Sequence, residues 1–180
     1  MILRQYADVH PNWYIIRTLD RDEVRALLDL TLTLMSVSAR FTPEERSAFV
    51  HELFDDRGSH LDPEGVQVMV WQAEDRLAQY DNKQLGKRLG KAAAAIRDDV
   101  KRIACMRLLA IVAMAKGTSV RELNFCHAVG YGFRLDEDTI QNILRAAWES
   151  QQSAGDAQRL RARPPRQPAV PPAAPGRGVA

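Results

Sequence analysis

LDLTLTLMSVSARFTPEERSAF, residues 28–49, decides the fold class of this chain. Leu27, Leu30, Leu34 and Val37 recur at three- and four-residue intervals, the spacing of one face of an α-helix. Thr42-Pro43-Glu44-Glu45 then starts a second helix. Thr42 stands at the N-cap, where its hydroxyl oxygen accepts from an orphan backbone N–H, and Glu45 reaches back to the cap's own N–H. Pro43 falls at the first helical position, where a missing N–H loses no bond. Phe41 and Arg46 flank the cap; Arg46 is polar, so a full hydrophobic staple is not expected. This helix is predicted to run to about Asp56 and to stop before Gly58.

Upstream, Asp20 and Glu23 have capping-box spacing, so the first long helix is predicted from Asp20 to Ser38–Arg40. Residues 1–19 contain Pro11 and the apolar cluster Trp13-Tyr14-Ile15-Ile16, an N-terminal arm or short helix. Downstream, Asp62-Pro63-Glu64 repeats the cap-then-proline logic, and Val66, Met69, Val70, Ala73, Leu77 and Tyr80 line one face. Asp81-Asn82 marks a turn. Gly86 and Gly90 weaken the helical case for residues 83–96. Val100, Ile103, Ala104, Leu108, Ile111, Val112 and Ala115 then form the stripe of a long helix from about Asp98, with Gly117 as its stop. Ser119 and Glu122 open another capping box, whose helix runs to about Gly130, with Gly132 allowing the turn. Asp136 caps the last helix, with Ile140, Ile143, Leu144 and Ala147 apolar. The domain is therefore placed at residues 20–150: an all-α, compact bundle of about seven helices, followed by an Arg/Pro/Ala-rich tail over 151–180 expected to be disordered.

The composition agrees. The 180 residues suit one domain with an extension, and 46% hydrophobic with 27% charged residues is ordinary for a globular chain. Ala, Leu, Arg, Glu and Gln lose little rotamer freedom in a helix. The net charge of +2 is unevenly spread. Arg159, Arg161, Arg163, Arg166 and Arg177 face a single acid, Asp156, so the tail carries +4 and the body −2. Cys105 and Cys126 lie in apolar helical patterns and read as small buried hydrophobes of a reducing compartment. The N-terminus has no signal-peptide pattern, and Ile103–Ala115, broken by Arg107, is too short to span a bilayer. A cytoplasmic location is expected, with peripheral membrane contact left open.

Residues 28–49 share their arrangement with MRLLAIVAMAKGTSVRELNFC, residues 106–126: apolar helix, polar turn, capping box, second helix. Such a repeat points to a pseudo-symmetric helical bundle. Phe41-Thr42-Pro43-Glu44-Glu45, Ala115-Lys116-Gly117 with Glu122, and Phe133-Arg134-Leu135-Asp136 before the final helix resemble the tellurite-resistance protein B (TerB-like) family over about residues 23–148. That family carries an apolar helix ending in Ala-Asp-Gly, then a hydrophobic residue and Ser/Thr-Pro-Glu-Glu, repeated once. Glu122 matches the second copy when one residue is deleted. The resemblance implies a helical protein of stress response or membrane-associated assemblies, and an acidic cluster that binds a divalent metal. Here the family's acidic position is Ser38 in the first copy and Lys116 in the second. Hard divalent ions need several oxygen ligands, usually including carboxylates. Glu45 and Glu122 are the candidates left, each already given a capping role, so neither a metal nor another cofactor is expected.

Other constellations read more plainly as structure. His51-Glu52-x-x-Asp55, with His60 and Asp62 nearby, has Asp55 where a zinc-protease motif needs its second histidine. Cys126 and His127 are adjacent on a helix and point about 100° apart, which does not make a nucleophile pair. His127 reads as a packed histidine. Gly130-Tyr131-Gly132 lacks the strand and third glycine of a dinucleotide fingerprint. Lys83, Lys87 and Lys91 fall at i, i+4, i+8 with Arg88 adjacent. These four, with Arg159, Arg161, Arg163 and Arg166, are the candidate partner- or anion-binding residues. The expected function is a non-catalytic TerB-like scaffold or adaptor with a protein partner. The alternatives are a nucleic-acid-associated regulator using the basic helix and tail, and a divalent-metal-binding domain.

Overall fold

The helix that contains residues 28–38 lies at the centre of the fold. In the computed structural model, residues 13–38, 41–42, 44–46, 48–49, 63–79, 82–115 and 117–161 are described. Among them seven helices follow in order: α1 (Trp13–Ile16), α2 (Arg21–Ser38), α3 (Pro63–Gln79), α4 (Asn82–Ala95), α5 (Asp99–Met114), α6 (Val120–Gly132) and α7 (Glu137–Arg161). Backbone at 44–46 and 48–49 is also helical, and no described residue is in a strand.

Helix α2 is buried on all sides from Ala26 to Met35, with Asp29, Thr31 and Thr33 included. Leu27, Leu28, Leu30, Leu32, Leu34 and Met35 are each buried to within 1% of full cover. A helix covered on every side lies in the interior, and α2 packs against α3, α4, α5 and α6. Helix α5 does the same: every residue from Ala104 to Met114 is buried except Arg107. It packs on α1, α2, α6 and α7. The apolar helices of the two sequence repeats thus lie against each other at the centre, and one core cluster runs from Ile16 to Ala147.

The starts of the helices are chemically explicit. Glu23 N–H donates to Asp20 Oδ1 at 2.9 Å while Asp20 N–H donates to Glu23 Oε2 at 2.9 Å. Thr42 and Glu45 exchange the same pair at 3.0 and 3.2 Å, and Ser119 and Glu122 at 2.6 and 3.4 Å. Asp98 caps α5 and Asp136 caps α7. Phe41, beside the second cap, is buried, and its carbonyl accepts from Arg46 Nη1 at 3.3 Å.

One weakly patterned segment proves helical, and two expectations are corrected. Residues 82–95 are a continuous helix despite two glycines, and Ala92 and Ala93 near its end are buried against the core, as is Ile96 just beyond. Gly132 is not the turn: α6 continues through it, and the left-handed residue is Arg134, at φ 61. Arg134 N–H donates to Tyr131 O and Leu135 N–H to Gly130 O, the paired bonds of a Schellman end. The stretch expected to lose structure from Gln151 stays helical to Arg161. Extending a nucleated helix through Gln, Ala and Arg needs only the small propagation step for each residue. Residues 162–180 lie outside the described residues.

Gly117 does stop the preceding segment as expected, at φ 83 with its N–H donating to Met114 O. In the N-terminal segment, α1 turns Ile16 inward and leaves Tyr14 exposed.

Candidate functional site

The two carboxylates nominated for a metal are spent on backbone. Glu45 accepts from Thr42 N–H and Glu122 from Ser119 N–H, and Glu122 is 1% exposed. Among the described residues no three His, Cys, Asp or Glu side chains come together as a ligand set. His51, Asp55, His60, Asp62 and Lys116 lie outside the described residues, as does the side chain of Ser38.

Both thiols are free and buried. Burial pushes Cys126 up to about 12, with Glu122 adding to the shift, and burial likewise raises Cys105. The thiolate is the nucleophile, so neither thiol is available as one at neutral pH. An alkylating thiol reagent at pH 8 is expected to leave native protein unmodified and to label both cysteines in denaturant. Stoichiometric labelling of the native chain would contradict their burial.

His127 does not meet Cys126 chemically. Its Nδ1 lies 3.6 Å from Glu137 Oε2, and it is partly exposed rather than wholly packed. Tyr131 O–H donates to the same Glu137 oxygen, and Gln141 Nε2 donates to Glu137 Oε1 at 2.8 Å. Those two hydrogen bonds and nearby His127 hold Glu137 below its usual range, while the hydrogen bond that Tyr131 donates to Glu137 raises the phenol. The cluster fastens the end of α6 to the start of α7. Tyr131 is 57% exposed there, open to bulk water.

The basic segment divides. Lys83, Lys87 and Lys91 are exposed on α4 and, among the described residues, make no ion pair. Arg88 leaves this group. It turns inward, its Nη2 2.5 Å from Asp29 Oδ2, while Arg76 Nη2 approaches Asp29 Oδ1 at 3.4 Å. Lys101 is tied to Glu23 at 2.6 Å. Arg159 and Arg161 belong to α7 rather than to a tail, and Arg163 and Arg166 lie outside the described residues.

Three features were missed in the sequence. The Asp29 cluster joins α2, α3 and α4; its signal was an acid inside the apolar run LDLTLTL. A groove of about 370 Å³ lies between α2, α3 and α4, floored by Leu32, Leu77 and Leu85 and edged by the Arg46–Glu74 pair at 3.6 Å. Trp71 and Val68, one turn apart on α3, are 63% and 46% exposed. Both fall off the apolar stripe of that helix, which was the available clue.

With caps, thiols and charge pairs located, comparison gives a short answer. No protein-family model, curated protein or solved structure matches this chain. Among the described residues no helix is long and apolar enough to cross a membrane. Exposed on the surface are Trp71 with Val68 on α3 and, on α4, a lysine row that makes no ion pair among the described residues.

Proposed function

We propose that this chain is a non-catalytic helical adaptor of TerB-like type, working in a bacterial cytoplasm and serving a stress response through protein contacts. The observation that carries the reading is Trp71. It stands 63% exposed beside exposed Val68 on a helix whose Met69, Val70 and Ala73 are turned into the core. Exposed Trp is the residue type that most often anchors a protein interface. Glu45 and Glu122 are meanwhile engaged in caps, and Cys105 and Cys126 are buried. The family assignment rests on the repeated capping boxes and the Phe133–Asp136 ending.

The test is quantitative affinity capture from the native host with wild-type chain and with Trp71→Ala. One partner should be enriched near stoichiometry by the wild type and lost with the variant. The substitution should leave stability within about 0.5 kcal/mol, as exposed sites do. Enrichment of nothing beyond a bait-free control, or equal capture by the variant, would sink the adaptor reading.

A second reading, nucleic-acid binding, is favoured by the unpaired Lys83, Lys87 and Lys91. It requires affinity for duplex DNA that falls steeply with salt, with the log–log slope shrinking by about one for each lysine removed.

A further inference from the structure

The exposed face of α4 carries two rows of residues, with Gln84 at their edge. Lys83, Lys87 and Lys91 form one row, four residues apart, and Gly86, Gly90 and Ala94 form a second row beside it. The residues of both rows are exposed, while Ala92 and Ala93 near the end of the helix are buried. Successive residues turn by about 100°, so both rows rise about 12 Å while slanting together around the helix by about 40° at each four-residue step. No acid interrupts the face, and among the described residues no acid neutralises the lysines. This row of positive charge asks for an anionic partner.

The neighbouring row says how close that partner comes. A Cβ added at Gly86 or Gly90 would meet nothing within 4 Å. Neither position has a positive φ. So the fold of this chain does not ask for glycine at either position, and glycine weakens a helix wherever its freedom is unused. Gly130 and Gly132 differ, since a Cβ there would collide with Ile140 or Ala93. What two bare positions one turn apart provide at a surface is the approach of another backbone. Phosphates need no such floor, because long lysine side chains reach them from any helix face. A second helix does need it, since its own backbone must lie against the strip for its side chains to reach the row alongside.

We propose that the Lys83–Ala94 face of α4 is a docking strip for an acidic helix of a partner protein. The partner helix lies along Gly86, Gly90 and Ala94 and places carboxylates, spaced four residues apart, on Lys83, Lys87 and Lys91. The proposal rests on the adaptor reading and names the chemistry of a partner, yet it uses a surface separate from Trp71.

The probe is a fluorescently labelled Ala-rich peptide of about 20 residues, long enough to be helical in water, carrying Glu at every fourth position. An isomer with the same residues and its Glu scattered around the helix serves as control, and a duplex DNA serves as competitor. At low ionic strength full-length protein should bind the first peptide at least about tenfold more tightly than the isomer, a difference of about 1.4 kcal/mol. Lys83→Gln/Lys87→Gln/Lys91→Gln should abolish that binding. Gly86→Ala/Gly90→Ala should weaken it by about tenfold or more while raising the thermal midpoint, so the loss cannot come from unfolding. Equal binding of the two peptides, no binding to the wild type, or an Ala double variant that binds as well as the wild type would each overturn the proposal. So would DNA that binds more tightly than the peptide, through the lysines and without regard to the glycines. Trp71→Ala should leave peptide binding unchanged, which separates failure of this strip from failure of the adaptor reading.

Discussion

Asp29→Ala is expected to destabilise the protein by about 3–5 kcal/mol, the usual cost of removing one partner of a buried ion cluster. Asp29 is 8% exposed and is the carboxylate approached by Arg76 from α3 and Arg88 from α4. Its loss leaves two guanidiniums facing each other across a cavity in which neither is well hydrated. Arg76 Nε is buried and has no hydrogen-bond partner among the described residues. The arginine side chains are 23% and 19% exposed, so water reaches part of each and the cost belongs toward the lower end. Asp29→Asn keeps shape and an acceptor but loses the charge, and should fall between wild type and alanine. The mechanism predicts a sharper result still. Asp29→Leu/Arg76→Met/Arg88→Met should recover most of the loss, since well-packed apolar residues commonly match a buried ion cluster. Urea unfolding midpoints decide the matter: an Asp29→Ala loss under about 1 kcal/mol would mean that the cluster behaves like a surface pair. A triple variant no better than Asp29→Ala would mean that the carboxylate acts through something other than its charge.

That cluster also shows where the sequence stops being informative. Caps are local, and all three capping boxes are legible because acceptor and donor lie three residues apart. The stripe Leu27, Leu30, Leu34 is legible for the same reason. The burial of Leu28 and Leu32 as well is not, because periodicity reports one face and α2 is covered on several by helices distant in the chain. Arg88 looked like a fourth member of the lysine row. Its partner is 59 positions away, so no spacing rule near residue 88 could turn it inward. Likewise Gln151–Arg161 carries no apolar pattern, yet helix needs none to continue from a nucleus already held by Ile140, Ile143 and Leu144. For the candidate surfaces, the residue types were readable and their exposure was not.

The four glycines of α4 and α6 should respond to alanine with opposite signs. In a helix interior alanine is favoured over glycine by about 1 kcal/mol. At Gly86 and Gly90 nothing opposes that gain, because the new methyl group enters open space. Gly86→Ala/Gly90→Ala should therefore stabilise by about 2 kcal/mol. At about 2–4 °C per kcal/mol for a chain of this size, the thermal midpoint should rise by about 4–8 °C. At Gly130 the new Cβ would stand 2.6 Å from Ile140 Cδ1 and 2.7 Å from its Cγ1. Ile140 is wholly buried and cannot swing aside without displacing its own neighbours. Overpacking of this kind costs about 1–3 kcal/mol, which exceeds or cancels the helical gain. Gly132 meets Ala93 Cβ at 2.9 Å, and a methyl group has no rotamer to change, so α6 must back away from α4. Thermal and urea unfolding of the two double variants, Gly86→Ala/Gly90→Ala and Gly130→Ala/Gly132→Ala, should place them on opposite sides of the wild type. If the α4 pair destabilises, those glycines serve the fold after all, and the docking strip loses its second row. If the α6 pair stabilises, the close approach of α6 to α4 and α7 is not what those glycines are for.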